Sequence, residues 1–187
     1  IRGDFRGNDI ERMEKWSGQA YAEFDYADLA VWRQWVDYPV TLPHGHGALR
    51  AWAGFSDGIL QEITADVSLQ DVHLKLTQDL PELELERMSG RLQARFPKTG
   101  LAVKGERIEL VSGAEMPGGT DAPLKIEPID FEVAWRPDAD GKSGVGNVSL
   151  TRMDLGMLAR LAAYLPIDTQ SRTLLYDYAP RGLVNGL

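Results

Sequence analysis

The sequence contains no cysteine among its 187 residues. Disulfide bonds, thiolate metal sites and cysteine nucleophiles are therefore excluded. No apolar run reaches the roughly 18 residues that a membrane-spanning helix needs, and no block of basic residues is present to bind nucleic-acid phosphates. The chain carries 20 Lys+Arg against 28 Asp+Glu, and 43% of its residues are hydrophobic, which is typical of a folded globular protein.

Alternation of apolar and polar residues dominates the sequence. Residues 17–27 and 48–55 alternate in this way, as half-buried strands do. Asp57-Gly58 follows the second run and predicts a tight hairpin turn. Strands and helices do not alternate as they do in parallel sheets, so the pattern predicts antiparallel pairing.

In several predicted strands the apolar positions change parity. Ile63 to Leu69 place apolar residues at odd positions, whereas Val72 and Leu74 are even, which predicts a bulge or bend at Gln70-Asp71. The same change recurs within residues 83–96 and 101–110. Long strands with one apolar face and repeated phase changes are typical of a strongly curved antiparallel sheet. We predict a mainly β fold that forms an open groove or half-barrel, with two or three short capping helices.

Helical patterns occupy residues 28–38, 154–165 and 169–178. The first two begin at an aspartate in the N-cap position and carry matching apolar stripes at an offset of 126 residues. This similarity predicts two repeat units at about 17–153 and 145–187, the second incomplete. Because the first residue is Ile1, we expect residues 1–187 to be one β-rich domain from a longer repeat protein.

Candidate metal ligands are sparse in the sequence. His44 and His46 flank a glycine in a predicted loop, and His73 is the remaining histidine. A zinc site needs further ligands, so a plain loop is the simpler interpretation. Asp138 and Asp140 resemble the start of a calcium loop, but a complete loop needs five or six ligand positions, and a hairpin turn explains the pattern equally well.

Catalytic motifs are also absent. The nucleophile elbow, the phosphate-binding loop and the dinucleotide fingerprint do not occur, and we expect a non-enzymatic protein without a cofactor. A pair of carboxylates such as glycosidases use remains an alternative, although alternation with leucine predicts a solvated strand face. Its candidate residues are Glu82, Glu84, Glu86, Glu106 and Glu109.

The predicted strands present more apolar surface than the predicted helices can cover. The pattern predicts only two helices of about eleven residues, compared with about eight strands. The sheet therefore folds on itself, pairs with the next repeat, or leaves an apolar trough for a greasy ligand. A closed sandwich core is the alternative to the trough.

Residues 46–187 contain segments that together resemble the YhdP family of the AsmA-like group. They are Gly-Ala-Leu-Arg-Ala-Trp (47–52), residues 63–72, residues 80–85 with 89–92, residues 158–166, and Pro-Arg-Gly (180–182). The resemblance implies an inner-membrane helix followed by a long periplasmic body of repeated strands that forms an open groove. It also implies a role in moving phospholipids between the inner and outer membranes of Gram-negative bacteria and in the outer-membrane permeability barrier, without catalytic residues.

The expected partners are phospholipid acyl chains and neighbouring repeats of the same parent protein, with no nucleic acid and no metal. Membrane contact would occur through other parts of the parent. The alternative is a β-sandwich binding or scaffold module without a lipid role. The candidate lipid-lining residues are Val67, Leu69, Leu92, Phe96, Phe131 and Val133.

Overall fold

A computed structural model of the protein describes residues 1–7, 15–33, 40–113, 124–138, 143–178 and 180–186. Within these ranges the chain forms ten strands and three helices. The elements in chain order are β1 (Arg2–Arg6), β2 (Ser17–Asp28), α1 (Leu29–Trp32), β3 (Thr41–Ser56), β4 (Ile59–Lys75), β5 (Leu83–Arg95), β6 (Leu101–Val111), β7 (Lys125–Pro137), β8 (Gly144–Leu150), β9 (Arg152–Asp154), α2 (Leu155–Leu161), α3 (Thr169–Tyr178) and β10 (Leu183–Asn185).

Strands β1 to β8 form one antiparallel sheet in which each strand pairs with its neighbours in chain order. Strands β9 and β10 form a separate two-stranded sheet. In the described ranges no pairing joins β1 to β8, so the large sheet stays open with these two strands as its edges. The prediction of a mainly β, open antiparallel sheet with a few short helices is confirmed.

The predicted turn and two phase changes coincide with left-handed backbone. Asp57 and Gly58 have φ of 52° and 71° and form the β3–β4 hairpin turn. Asp71 and Arg107 have φ of 51° and 50°, and the β3–β4, β5–β6 and β6–β7 ladders change register beside them. These residues are β-bulges, which let apolar side chains on both sides of the bulge face the same core.

The phase change in β5 needs no register shift against β4. Leu69 pairs with Met88 and Val72 pairs with Leu85 in an unbroken ladder. Both strands therefore change phase at the same level, and their relative register is preserved.

The interpretation of residues 44–46 as a loop is wrong, because they lie within β3. Gly45 and Gly47 have φ of 151° and 149°, and the β3–β4 ladder is interrupted between Thr41 and His44. Pro43 lies in this interruption, where its missing N–H removes no ladder hydrogen bond.

Strand β1 was not expected from the sequence. All five of its residues are exposed, so its sequence shows no buried stripe. Its pairing with β2 defines it instead.

Each helix follows an aspartate that caps its N-terminus. The Asp28 carboxylate accepts from the N–H groups of Ala30 and Val31, and Asp154 accepts from that of Met157. Helix α1 is described to Trp32, and residues 34–38 of the predicted helix lie outside the described residues. Helix α2 ends at Leu161, four residues before the predicted end, and α3 has the predicted bounds. The division into repeat units stays a prediction.

The buried core lies at one end of the large sheet. Its members come from β4, from β5 and from residues 124–126 at the start of β7, and α1 and the turn after α2 cover them. They are Leu29, Leu69, Val72, Leu83, Leu85, Leu124, Ile126 and Tyr164. The helices therefore seal only part of the sheet.

Candidate functional site

One face of the large sheet carries a row of apolar residues that crosses every strand. Residues directly opposite each other in an antiparallel ladder place their side chains on the same face. Following these partners from β1 to β8 gives Gly3, Ala20, Ala53, Ile63, Ala94, Val103, Val133 and Val148. We call this the first row, and it contains no polar residue.

A second row lies beside the first, two residues along each strand. It crosses β2 to β8 through Ala22, Ala51, Ala65, Leu92, Gly105, Phe131 and Leu150. The two rows together are called the apolar face. Seven strand spacings of about 4.8 Å make the first row about 34 Å long, measured across the strands.

The opposite face of the same strands is polar. One of its rows runs through Arg2, Tyr21, Trp52, Thr64, Gln93, Lys104, Glu132 and Ser149. Beside it, Arg91 donates two hydrogen bonds to the Asp66 carboxylate, at 2.6 and 2.8 Å. Trp52 packs between Tyr21 (5.3 Å between ring centroids) and the Arg91 guanidinium (5.8 Å). The sheet therefore separates one polar side from one apolar side.

Exposure on the apolar face rises with distance from the core. Leu69 lies on the same face within the core and is 5% exposed, whereas Val133 is 36% and Val148 63% exposed. Trp135, which follows Val133 on this face, is 46% exposed. The apolar surface around β7 and β8 is thus open to solvent in the described part of the chain.

Five of the six candidate lining residues lie in strands on this side of the sheet, and three of them belong to the two rows. Val133 lies in the first row, Leu92 and Phe131 lie in the second, and Val67 packs against the core that contains Leu69. The Leu69 side chain is buried in that core, so it does not line the exposed part of the sheet. The sixth, Phe96, follows the end of β5 in phase with Ala94, is 38% exposed, and donates its N–H to the Gln61 carbonyl.

Sequence reasoning missed the small residues that shape this face. The Phe131 ring lies over Gly105, so closely that a Cβ at residue 105 would clash with it. Alanine also occupies all four first- and second-row positions of β2 and β3. The alternation of small with polar residues in these strands is the sequence signal that would have found them.

The histidines form a cluster that the sequence did not predict. The rings of His44 and His73 lie 5.0 Å apart, while His46 packs against Tyr26 instead. His73 Nδ1 lies 2.6 Å from Glu82 Oε1. The hydrogen bond to Glu82 raises the pKa of His73, because it favours the charged imidazolium.

Three of the other glutamates considered for a glycosidase pair are either exposed to solvent or bonded to a lysine. Glu84 and Glu86 are exposed and alternate with the buried Leu83 and Leu85, as a solvated strand face requires. Glu106 Oε1 accepts a hydrogen bond from Lys104 Nζ at 2.7 Å.

The aspartates of the proposed calcium loop are only partly described. Asp138 accepts a hydrogen bond from the Ser143 hydroxyl, and its N–H bonds to the Ser143 carbonyl, as in a turn. Asp140 lies outside the described residues.

We expect Asp66→Asn to lower the free energy of unfolding near neutral pH and to remove part of its acid dependence. The hydrogen bonds from Arg91 lower the pKa of Asp66 in the folded protein. The Asp66–Arg91 pair therefore stabilises the fold at pH values above about 3.9, the pKa of an aspartate in the unfolded chain. This contribution is lost as the pH falls through the lower pKa that Asp66 has in the folded protein. Urea unfolding from about pH 6 down to about pH 2 measures it.

Ser68→Ala, two residues further on the same face, is the matched control and should leave the pH profile unchanged. Parallel pH profiles for Asp66→Asn and the natural chain would contradict the prediction.

Comparison with known proteins places the chain in a family. No helix within the described residues is long and apolar enough to cross a membrane. Neither a curated protein nor a solved structure matches the sequence. The family model described as YhdP protein matches residues 1–187, more than the 46–187 over which the resemblance was identified. The chain therefore belongs to the YhdP family.

Proposed function

We propose that this chain is a non-enzymatic segment of a periplasmic protein that moves phospholipids between the inner and outer membranes. The observation that carries the proposal is the apolar face, whose first row crosses all eight strands without a polar residue. An acyl chain would lie along these rows, perpendicular to the strands, while the headgroup remains in water at the open side.

The chemistry of the apolar face suits movement better than fixed binding. Each buried CH₂ contributes about 0.8 kcal/mol wherever it lies on the face. Apolar contacts have no preferred direction, and neither row contains a side chain that would hydrogen-bond a headgroup at one position. An acyl chain therefore meets similar surroundings at each step, and the barrier to sliding is low.

Both edges of the sheet support continuity with neighbouring segments. The first row begins at Gly3 on β1 and ends at Val148 on β8, the two edge strands. Edge strands carry unpaired backbone groups that accept a further strand. Pairing with neighbouring repeats of the parent would lengthen the rows without interrupting them. We further propose that the parent is anchored in the inner membrane.

Co-purification of lipid tests the proposal. The 187-residue chain, expressed with export to the periplasm of a Gram-negative host, is purified without detergent and extracted with organic solvent. We expect phospholipid in the extract by mass spectrometry, and binding of a fluorescent fatty acid by the delipidated protein. A folded chain that contains no lipid and does not bind the fatty acid would overturn the proposal.

A further inference from the structure

Four side chains with metal-binding chemistry converge on the solvent side of the sheet. His44, His73 and Glu84 are cross-strand partners on β3, β4 and β5, and Glu82 comes from the connection that precedes β5. We call these four residues the histidine cluster. One ligand atom each from His73, Glu82 and Glu84 lie within 4.8 Å of one another, and the His44 ring is 5.0 Å from that of His73.

The two ring nitrogens of His73 have different neighbours. Nδ1 faces Glu82 at 2.6 Å, and Nε2 faces the Asp71 carboxylate at 3.4 Å. Histidines that bind metals commonly donate their second N–H to a carboxylate, which orients the ring. Asp71 is placed for this role because the bulge at its left-handed backbone brings its side chain beside His73. Nδ1 is then the nitrogen that binds the metal.

We propose that the histidine cluster binds one divalent transition-metal ion of the zinc type. His73, Glu82 and Glu84 supply three donor atoms that already lie close together. His44, whose ring centroid is 5.0 Å from that of His73, would supply the fourth after a rotation of its side chain. Two imidazoles and two carboxylates are a suitable donor set for tetrahedral zinc. Metal–ligand distances of about 2.0–2.1 Å place neighbouring tetrahedral donors about 3.3 Å apart. Glu82 would therefore move less than about 1 Å from Nδ1 and exchange its hydrogen bond for a shared metal ion.

The position of the cluster indicates what a bound metal would do. Val72 and Leu74, the neighbours of His73 on β4, pair with Leu85 and Leu83 and face the core. Glu82 ends the connection that carries the buried Leu80. A metal ion would therefore tie β3, β4 and this connection together on the outside of the core. The role is structural and independent of lipid binding.

Zinc titration of the tag-free, chelator-treated 187-residue chain tests the site. We expect one equivalent to bind by calorimetry and to raise the melting temperature, because the ion binds the folded state. The chain has three histidines and no cysteine, so imidazole nitrogen NMR resolves the ligands. The signals of His44 and His73 should shift, and that of His46 should not.

Variants distinguish a specific zinc site from nonspecific zinc binding at the protein surface. Glu82→Gln should weaken zinc binding at least about tenfold, and Asp71→Asn by about 10–100-fold. Asparagine tolerates the left-handed backbone of residue 71, so the fold is retained. His46→Gln and Glu86→Gln are the matched controls and should bind zinc normally. Absence of binding, equal shifts of all three histidines, or equal weakening by the controls would each overturn the proposal.

Discussion

Val133→Asp should strongly weaken binding of a fluorescent fatty acid while the sheet stays folded. Val133 lies in the first row between Val103 and Val148, its cross-strand partners, and is 36% exposed. A carboxylate here remains hydrated in the free protein, but an acyl chain lying across the row would remove its water. Burying an unpaired charge costs far more than the few methylene contacts at this position contribute. We expect at least about a tenfold loss of affinity.

The matched control is Ala134→Asp, one residue further on the same strand. Ala134 faces the polar side, where its partners Ala102 and Asn147 carry no charge, and fatty-acid binding should be unchanged. Phe96→Asp provides a second test at the exposed residue after β5. Phe131→Asp is a less specific test, because the Phe131 ring packs over Gly105 and its loss would also affect the fold. Unchanged binding by folded Val133→Asp and Phe96→Asp variants would reject this face as the lipid surface.

Ile126→Ala should destabilise the protein by about 2–5 kcal/mol. Ile126 is among the largest fully buried side chains, 2% exposed, and belongs to the core at the sealed end of the sheet. Truncation removes buried methyl and methylene groups and leaves a cavity between β7 and its neighbours, which relaxes only partly. The loss is large because this small core holds one end of an otherwise open sheet.

Urea unfolding followed by circular dichroism measures the loss as a lower midpoint with an unchanged slope. Val145→Ala, at a valine on β8 that is 57% exposed, is the control and should change stability by less than about 0.5 kcal/mol. A loss below about 1 kcal/mol for Ile126→Ala would show that the core is not tightly packed at this residue.

The lining residues illustrate what sequence pattern can and cannot predict. Val67, Leu92, Phe131 and Val133 were identified because side chains alternate between faces along a strand, which follows from local backbone geometry. Their arrangement in two continuous rows was not predictable. It depends on register, and partners such as Leu92 and Gly105 or Gly105 and Phe131 are separated by turns and by bulges whose exact positions the pattern leaves open.

The histidine cluster shows the same limit. His44 and His46 are neighbours in sequence, and a search for local spacing selects them. The bulge in the β3–β4 ladder pairs His44 with His73 instead and leaves His46 beside Tyr26. A one-residue change of register redirects side chains to the other face, so the members of such a cluster depend on the folded sheet.

The sequence alone is sufficient to predict the antiparallel strands, the Asp57-Gly58 turn, and the bulges near Asp71 and Arg107. It also predicts that the strands present more apolar surface than the helices can cover. Each follows from local rules of alternation, turn chemistry and parity. The tertiary structure alone decides which strands lie side by side, which end of the sheet the helices seal, and which part of the apolar face stays open. These properties arise from pairings between residues far apart in the chain, whose energies depend on the whole assembled sheet.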